Sequence, residues 1–408
     1  MMSEKLRQAA LDYHASPFPG KTGIALTKPT ATQHDLSLAY TPGVAEPVNE
    51  IAKSPETAYR YTNKGNLVAI ISNGTAVLGL GNVGALASKP VMEGKAVLFK
   101  HLADVDVFDI EIDCDDPEGF IETVARIAPT FGGINLEDIK APECFAIEKA
   151  LKERLNIPVM HDDQHGTAIV VAAGLLNALE IQNKKLEEVT IVCAGAGAAG
   201  IASIELLMQL GAKHDNIFMI DRGGIIHDER ADLNDFKRKF AVKTTKRTLA
   251  DAMVNADVFI GVSGPGILTA EMLSSMAKNP IIFALSNPTP EILPEIAFAV
   301  RNDILMATGR SDYPNQVNNA LSFPYIFRGA LDANATCING AMQLAAVHAI
   351  KDLVKEPVPE LVKQSYPNEK EYHFGHSYIL PKMLDPRLKE RVSTAVYNAA
   401  IASGVARK

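Results

Sequence analysis

The sequence predicts an α/β protein of two lobes, the second built on a doubly wound parallel sheet. Three observations predict it. At 408 residues the chain exceeds what one hydrophobic core ordinarily supports, so it divides. Hydrophobic residues make up 47% and charged residues 22%, a globular composition. From Val189 onward, short apolar β-branched runs alternate with helix-like segments, and that alternation builds parallel sheets covered on both faces.

The elements follow in order. Glu4 to Ala15 reads as a helix, stopped by Ser16-Pro17-Phe18-Pro19-Gly20, where two prolines forbid continuation. Tyr40-Thr41-Pro42-Gly43 is a turn, and Val44 to Ile51 and Thr57 to Tyr61 are short helical candidates. Leu67 to Ser72 is a buried strand, and Asn73-Gly74 turns the chain into a second one, Ala76 to Leu78. Val91 to Leu98 is helical, whereas Val105 to Ile112 alternates apolar and acidic residues, a strand with one buried face. A short strand ends at Met160, and Thr167 to Leu179 is a long apolar helix. Strands are then expected at Val189 to Ala194, Ile217 to Ile220, Val258 to Val262, Ile281 to Ala284 and Ile304 to Ala307. Helices fall between them at Gly197 to Leu210, Thr248 to Asn255, Ala270 to Met276 and Glu291 to Phe298. Two more, Ala341 to Lys355 and Asp385 to Ala402, form a tail. This division gives an N-terminal α/β lobe over 1–166, a second lobe over 167–340, and a helical tail over 341–408 that packs back on the first lobe.

Composition excludes several classes. Forty Lys+Arg against 48 Asp+Glu give a charge of −8, opposite to the basic excess of a nucleic-acid binder. The four cysteines (Cys114, Cys144, Cys193 and Cys337) are widely spaced with no CxxC pair, which suits buried free thiols in a reducing compartment. The first ten residues lack an apolar signal core, and the apolar stretch Ala168 to Leu179 is too short to cross a bilayer. The expected location is the cytoplasm.

Two constellations carry chemistry. Gly195-Ala196-Gly197-Ala198-Ala199-Gly200 follows an apolar strand and opens a helix. There Gly195 permits the tight turn, Gly197 lets backbone N–H groups approach a pyrophosphate, and Gly200 lets helix and strand pack closely. Asp221, at the end of the next strand, is placed to accept hydrogen bonds from the adenosine ribose. Arg222 suits a 2′-phosphate, and equally a solvated turn, so NADP is favoured over NAD only weakly. The Val262-Ser263-Gly264-Pro265-Gly266 loop is expected beside the nicotinamide half. The second constellation is acidic. Glu137-Asp138 and Asp162-Asp163 are adjacent acids that each close an apolar run, a donor set for a hard divalent cation. His161 and His165 stand beside the second pair without zinc-site spacing and are read as hydrogen-bonding neighbours.

These motifs stand in a recognisable order. Tyr40-Thr41-Pro42-Gly43-Val44, Glu93-Gly94-Lys95, Leu136-Glu137-Asp138, His161-Asp162-Asp163-Gln164-His165-Gly166-Thr167-Ala168, the glycine motif, and Leu285-Ser286-Asn287-Pro288-Thr289 together resemble the malic enzymes. The chain looks like the compact bacterial type and resembles the malic part of fused malic enzyme–phosphotransacetylase-like proteins. The resemblance covers nearly the whole chain. It implies a Rossmann-like dinucleotide domain, oxidative decarboxylation of malate to pyruvate and CO2, reduction of NADP or NAD, and a need for Mg2+ or Mn2+. It further implies Tyr40 as general acid, Lys95 as general base with Asp162 beside it, and Glu137, Asp138 and Asp163 as metal ligands. Asn287, at cofactor and substrate, and Asn319, at substrate, complete the set, in a homodimer or higher homo-oligomer. One position departs from the family: Ala76 stands where larger relatives carry an arginine for the substrate carboxylate. Ser88, Lys89, the Gly79–Gly84 amides or an arginine of another subunit are the candidate replacements.

Overall fold

The structure, a computed structural model, describes residues 4–77, 79–369 and 371–407. Two sheets organise it. The first holds β1 (Leu67–Ser72), β2 (Asp106–Glu111), β3 (Gly133–Leu136) and β4 (Val159–His161), all parallel, in the order β2-β1-β3-β4. The second holds β5 (Ile191–Ala194), β6 (Ile217–Asp221), β7 (Gly224–Ile225), β8 (Val258–Gly261), β9 (Ile281–Ala284) and β10 (Leu305–Thr308). Its order is β10-β9-β8-β5-β6-β7, parallel except for the β6–β7 hairpin. The order reverses between β5 and β8, the switch point where doubly wound sheets bind ligands.

Side-chain alternation explains the second sheet. Ile191 and Cys193 join the large core that runs through both lobes, while Val192 and Ala194 join a smaller core on the opposite face. Both faces are therefore apolar, which is why these strands read as continuous hydrophobic runs. One helix, Asp162–Ile181, leaves β4 and runs without a break through Gly166 into the second lobe. Its middle turns are almost wholly buried. After the second sheet the chain returns to the first lobe: helix Phe323–Asp332 packs on helix Ala85–Ala103, with the Phe99 ring 4.8 Å from Phe323 and 5.5 Å from Phe327. The tail helices Gly340–Leu353 and Arg387–Ala402 pack on each other and on this layer.

Some elements differ from expectation. Ala76 and Val77 lie in a turn closed by a single bridge from Val77 to Gly81, not in a strand; Leu78 lies outside the described residues. The Lys95 helix is much longer than its apolar core, spanning Ala85–Ala103. β2 is an edge strand, partly buried on both faces. Glu291 is not helical; that helix is Pro294–Val300, started by a proline whose missing N–H is no loss there. The widest contrast is at the N-terminus, where no residue from 4 to 66 is buried.

Candidate active site

Strand register builds the acidic cluster. β3 and β4 pair with Leu136 opposite His161, so Glu137-Asp138 and Asp162-Asp163 leave the sheet side by side at its carboxyl edge. Carboxylate oxygens of Glu137, Asp138 and Asp163 lie within 4.8 Å of one another. The Asp138 backbone N–H donates to the Asp163 carboxylate at 2.8 Å, fixing the two loops together. Lys95 enters from helix Ala85–Ala103. Its ammonium lies 3.0 Å from Glu137, bonds Asp162, and sits 4.2 Å from the centre of the Phe323 ring. Asn135 donates to the second oxygen of Glu137 at 2.9 Å. Behind the cluster, Glu148 accepts from the His161 N–H and meets His165 Nε2, each at 2.9 Å, with Lys152 at 2.7 Å. His165 is thus the hydrogen-bonding neighbour the sequence suggested, and His161 contributes through its backbone.

Four carboxylates and one lysine share this space, all of them buried except the half-buried Asp163, and the imbalance drives their proton affinities. Burial raises Glu137 well above the carboxylate range, with Asp163, Asp162 and Asp138 adding to it against Lys95. Burial likewise pushes Asp162 up to about 6, opposed by Lys95. Burial works against the Lys95 ammonium, yet Asp162, Glu137 and Asp163 outweigh it and hold the lysine protonated. His161, fully buried, is pushed towards its neutral form. Three close oxygen donors crowded by like charge fit a divalent cation, which would relieve the repulsion.

The remaining substrate candidates come from the second lobe. Asn319 packs against Gly166, and Ser322 donates to the Gly166 carbonyl at 3.1 Å, bringing this segment over the Asp162 turn. Asn287, just after β9, lies beside Gly79 and Gly309. Two replacements suggested for the missing arginine at Ala76 are engaged elsewhere. Lys89 pairs with Asp109 at 2.6 Å and Glu111 at 3.5 Å, and Ser88 donates to the Ala85 carbonyl at 2.7 Å. Sequence reasoning passed over Arg310, which follows β10, donates to the Pro288 carbonyl at 3.1 Å and pairs with Asp312. Its place at the carboxyl edge of a parallel strand was the available signal. Tyr40 is 74% exposed, and its side chain makes no hydrogen bond among the described residues.

The glycine motif closes the second site. β5 leads into Gly195 and helix Ala198–Gln209 begins just beyond Gly197. A Cβ at Gly200 would collide with the Gly195 carbonyl, so helix and loop meet only because that position has no side chain. At Gly197 a Cβ would meet nothing, leaving an open cradle at the helix N-terminus that fits a pyrophosphate. Asp221 sits at the end of β6 with its carboxylate held by Arg230 at 2.7 Å, Lys237 at 2.6 Å and the Gly223 N–H at 2.9 Å. Burial opposes ionisation, but those donors prevail and set Asp221 at about 2. Arg222 is exposed and makes no hydrogen bond or ion pair among the described residues.

Comparison with known proteins shows the family to which this chain is similar. The profile of the malic enzyme N-terminal domain matches residues 19–152, and that of the malic enzyme NAD-binding domain matches residues 164–372. The chain is 63% identical over 407 residues to a NADP-dependent malic enzyme of Halomonas elongata, covering 100% of this chain and 96% of that protein. A NAD-dependent malic enzyme of Rhizobium meliloti is 53% identical over 405 residues, with 99% of this chain and 52% of that protein covered. The chain likewise spans 54% of several relatives named NADP-dependent malic enzyme that are 56–57% identical to it. Among solved structures, the malic enzyme of Pyrococcus horikoshii superposes with a TM-score of 0.90 at 44% identity, covering 99% of this chain and 92% of that one.

Proposed function

The chain belongs to the malic enzyme family, and we propose that it oxidatively decarboxylates (S)-malate to pyruvate and CO2 with reduction of NADP+ or NAD+. The observation that carries this reading is the meeting of Lys95 and Asp162 with the Glu137, Asp138 and Asp163 carboxylates at one sheet edge. Malate-dependent reduction of NADP+ that stops on chelation with EDTA is the expected result; no reduction with either dinucleotide would exclude the activity.

When bound, the two cofactors supply a hydride acceptor and a Lewis acid, Mg2+ or Mn2+, held by Glu137, Asp138 and Asp163. The chain's own groups do the rest. Lys95 removes the proton of the C2 hydroxyl, and Asp162 orients it. To act as a base Lys95 must first lose its proton, and drawing Glu137 away from it removes one of its two anionic partners. Asn319 and Asn287 orient substrate from the second lobe. Arg310 is the cation we assign to the second substrate carboxylate; Arg310→Ala then raises KM for malate and leaves dinucleotide affinity unchanged. After CO2 departs, Tyr40 protonates the remaining carbon.

Among the described residues the Tyr40 side chain makes no hydrogen bond to a catalytic group, and it lies on an arm whose apolar residues are exposed, Phe18 at 80% and Ile24 at 87%. Sixty-odd residues without one buried side chain are an interface awaiting a partner, and a second copy of the chain is the occupant we assign. In that homodimer each Tyr40 serves the partner's site. Mixing Lys95→Ala and Tyr40→Phe chains then restores turnover that neither has alone. No helix among the described residues is long and apolar enough to cross a membrane; the free thiols of Cys114, Cys144, Cys193 and Cys337 support our placing the enzyme in a reducing compartment, the cytoplasm.

Asp221 is engaged by two cations and Arg222 has none of its charge neutralised, an environment that suits a 2′-phosphate. We therefore assign NADP as the preferred dinucleotide.

A further inference from the structure

A fully buried carboxylate outside both clusters has no cationic partner among the described residues. Glu291 is 0% exposed and lies between the ends of β8 and β9. One of its oxygens accepts from the Ser263 N–H at 3.1 Å and the Ser286 hydroxyl at 2.7 Å. The other accepts from the Ser286 N–H at 3.1 Å. All three partners are donors, the set an ionised carboxylate needs when water is excluded. Its backbone takes part as well, since the Leu268 N–H donates to the Glu291 carbonyl at 3.1 Å.

The two serines belong to different loops. Ser263 follows β8 in the loop expected at the nicotinamide, and Ser286 precedes Asn287 after β9. The sequence has made room for the link: a Cβ at Gly261 would collide with the Glu291 carboxyl carbon. We propose that Glu291 is a positioning residue that locks the Ser263 and Asn287 loops in one arrangement and so sets how the nicotinamide end of the dinucleotide and the substrate are presented to each other. A buried charge is an expensive way to join two loops, and it fixes both oxygens where a neutral side chain would leave one loop without its acceptor.

This assignment rests on the dinucleotide reading given above, and a direct binding measurement separates the two. NADPH fluorescence titration of the unmodified enzyme comes first; no binding there would overturn the dinucleotide reading itself. In Glu291→Gln one acceptor is replaced by a donor facing the Ser286 N–H, and the NADPH dissociation constant is expected to rise about tenfold, with kcat falling as well. Mn2+ affinity, read by electron paramagnetic resonance, stays within about twofold because the acidic cluster belongs to the other sheet. Ser286→Ala removes one donor and no charge, is expected to fold, and weakens NADPH about threefold. In the Glu291→Gln background the same serine change adds almost nothing. NADPH affinity unchanged in Ser286→Ala, or effects of the two changes that simply multiply, overturns the proposal. A lowered melting temperature with unaltered binding and kcat assigns Glu291 a packing role only and overturns it too.

Discussion

Asp162 and Asp221 occupy equivalent places, each at the carboxyl edge of a parallel strand, yet their proton affinities are driven in opposite directions. Asp162 is pushed up to about 6, and Asp221 is held down at about 2. The strands do not make this difference; the company does. Asp162 is buried beside three other carboxylates and one lysine, so negative charge is in excess. Asp221 faces Arg230, Lys237 and a backbone N–H, so its own charge is spent. The first site keeps an excess of negative charge over Lys95 that suits a divalent cation, and the second, with Arg222 beside it, has charge to spare for an anion. One chain thus builds complementary sites for opposite charges from the same residue type in the same topological position.

Removing the single cation of the first site should have the largest effect. Lys95→Ala is expected to lower kcat by about a thousandfold or more while NADPH affinity holds, as steady-state kinetics and fluorescence titration would read. Retained turnover would break the link between the acidic site and the chemistry. Next comes metal binding as a stability effect. Because the folded-state affinity of Asp162 is raised from 3.8 to about 6, the metal-free fold loses stability as pH rises through that interval and stays penalised above it. Excess Mn2+ or Mg2+, at a hundredfold its dissociation constant, should add about 2.7 kcal/mol at pH 7.5, with a smaller gain at pH 5. Calorimetric scans showing equal gains at both values would remove the charge-crowding argument.

The second site is probed by Arg222→Ala. Affinity for 2′,5′-ADP should fall about tenfold and that for 5′-AMP should not move, measured by titration calorimetry. Equal losses would take the 2′-phosphate away from this arginine. The smallest effect belongs to Asp221→Asn, which should destabilise the fold by about 1 kcal/mol at neutral pH. Its depressed affinity gives stability that is present above about pH 4 and is lost as pH falls towards 2, so wild type and variant should converge in acid. A constant gap down to pH 2 would mean the ion pairs are not its source.

Much of this was legible before any coordinates. Glycine spacing located the Gly195 to Gly200 turn, and paired acids after apolar runs located the acidic cluster, because strand ends and motif loops are local events. Lys95 could not be brought to Asp162 by local reasoning, since that meeting is made by a helix packing across the first sheet; the family resemblance suggested it instead. Glu291 was misread for a related reason. Its neighbours fit a helix start, and only its hydrogen bonds to Ser263 and Ser286 show that it sits under two loops. Arg230 and Lys237 were missed because their partner, Asp221, lies 9 and 16 residues away along an irregular segment without periodicity. Tyr40 shows a different limit: in the homodimer we propose, it is completed by another copy, which would leave no trace in its own chain's contacts.

The helix Asp162–Ile181 acts as an axle between the two lobes. It begins with two members of the acidic site and ends near the start of the second sheet, so its pitch sets the angle between them. One residue inserted into its buried middle would turn the acids about 100° and carry them about 1.5 Å along the axis, leaving each half folded and the two misaligned. The crossing between lobes is therefore a timed shaft, and its length of 20 residues is as much a part of the chemistry as the groups at its head.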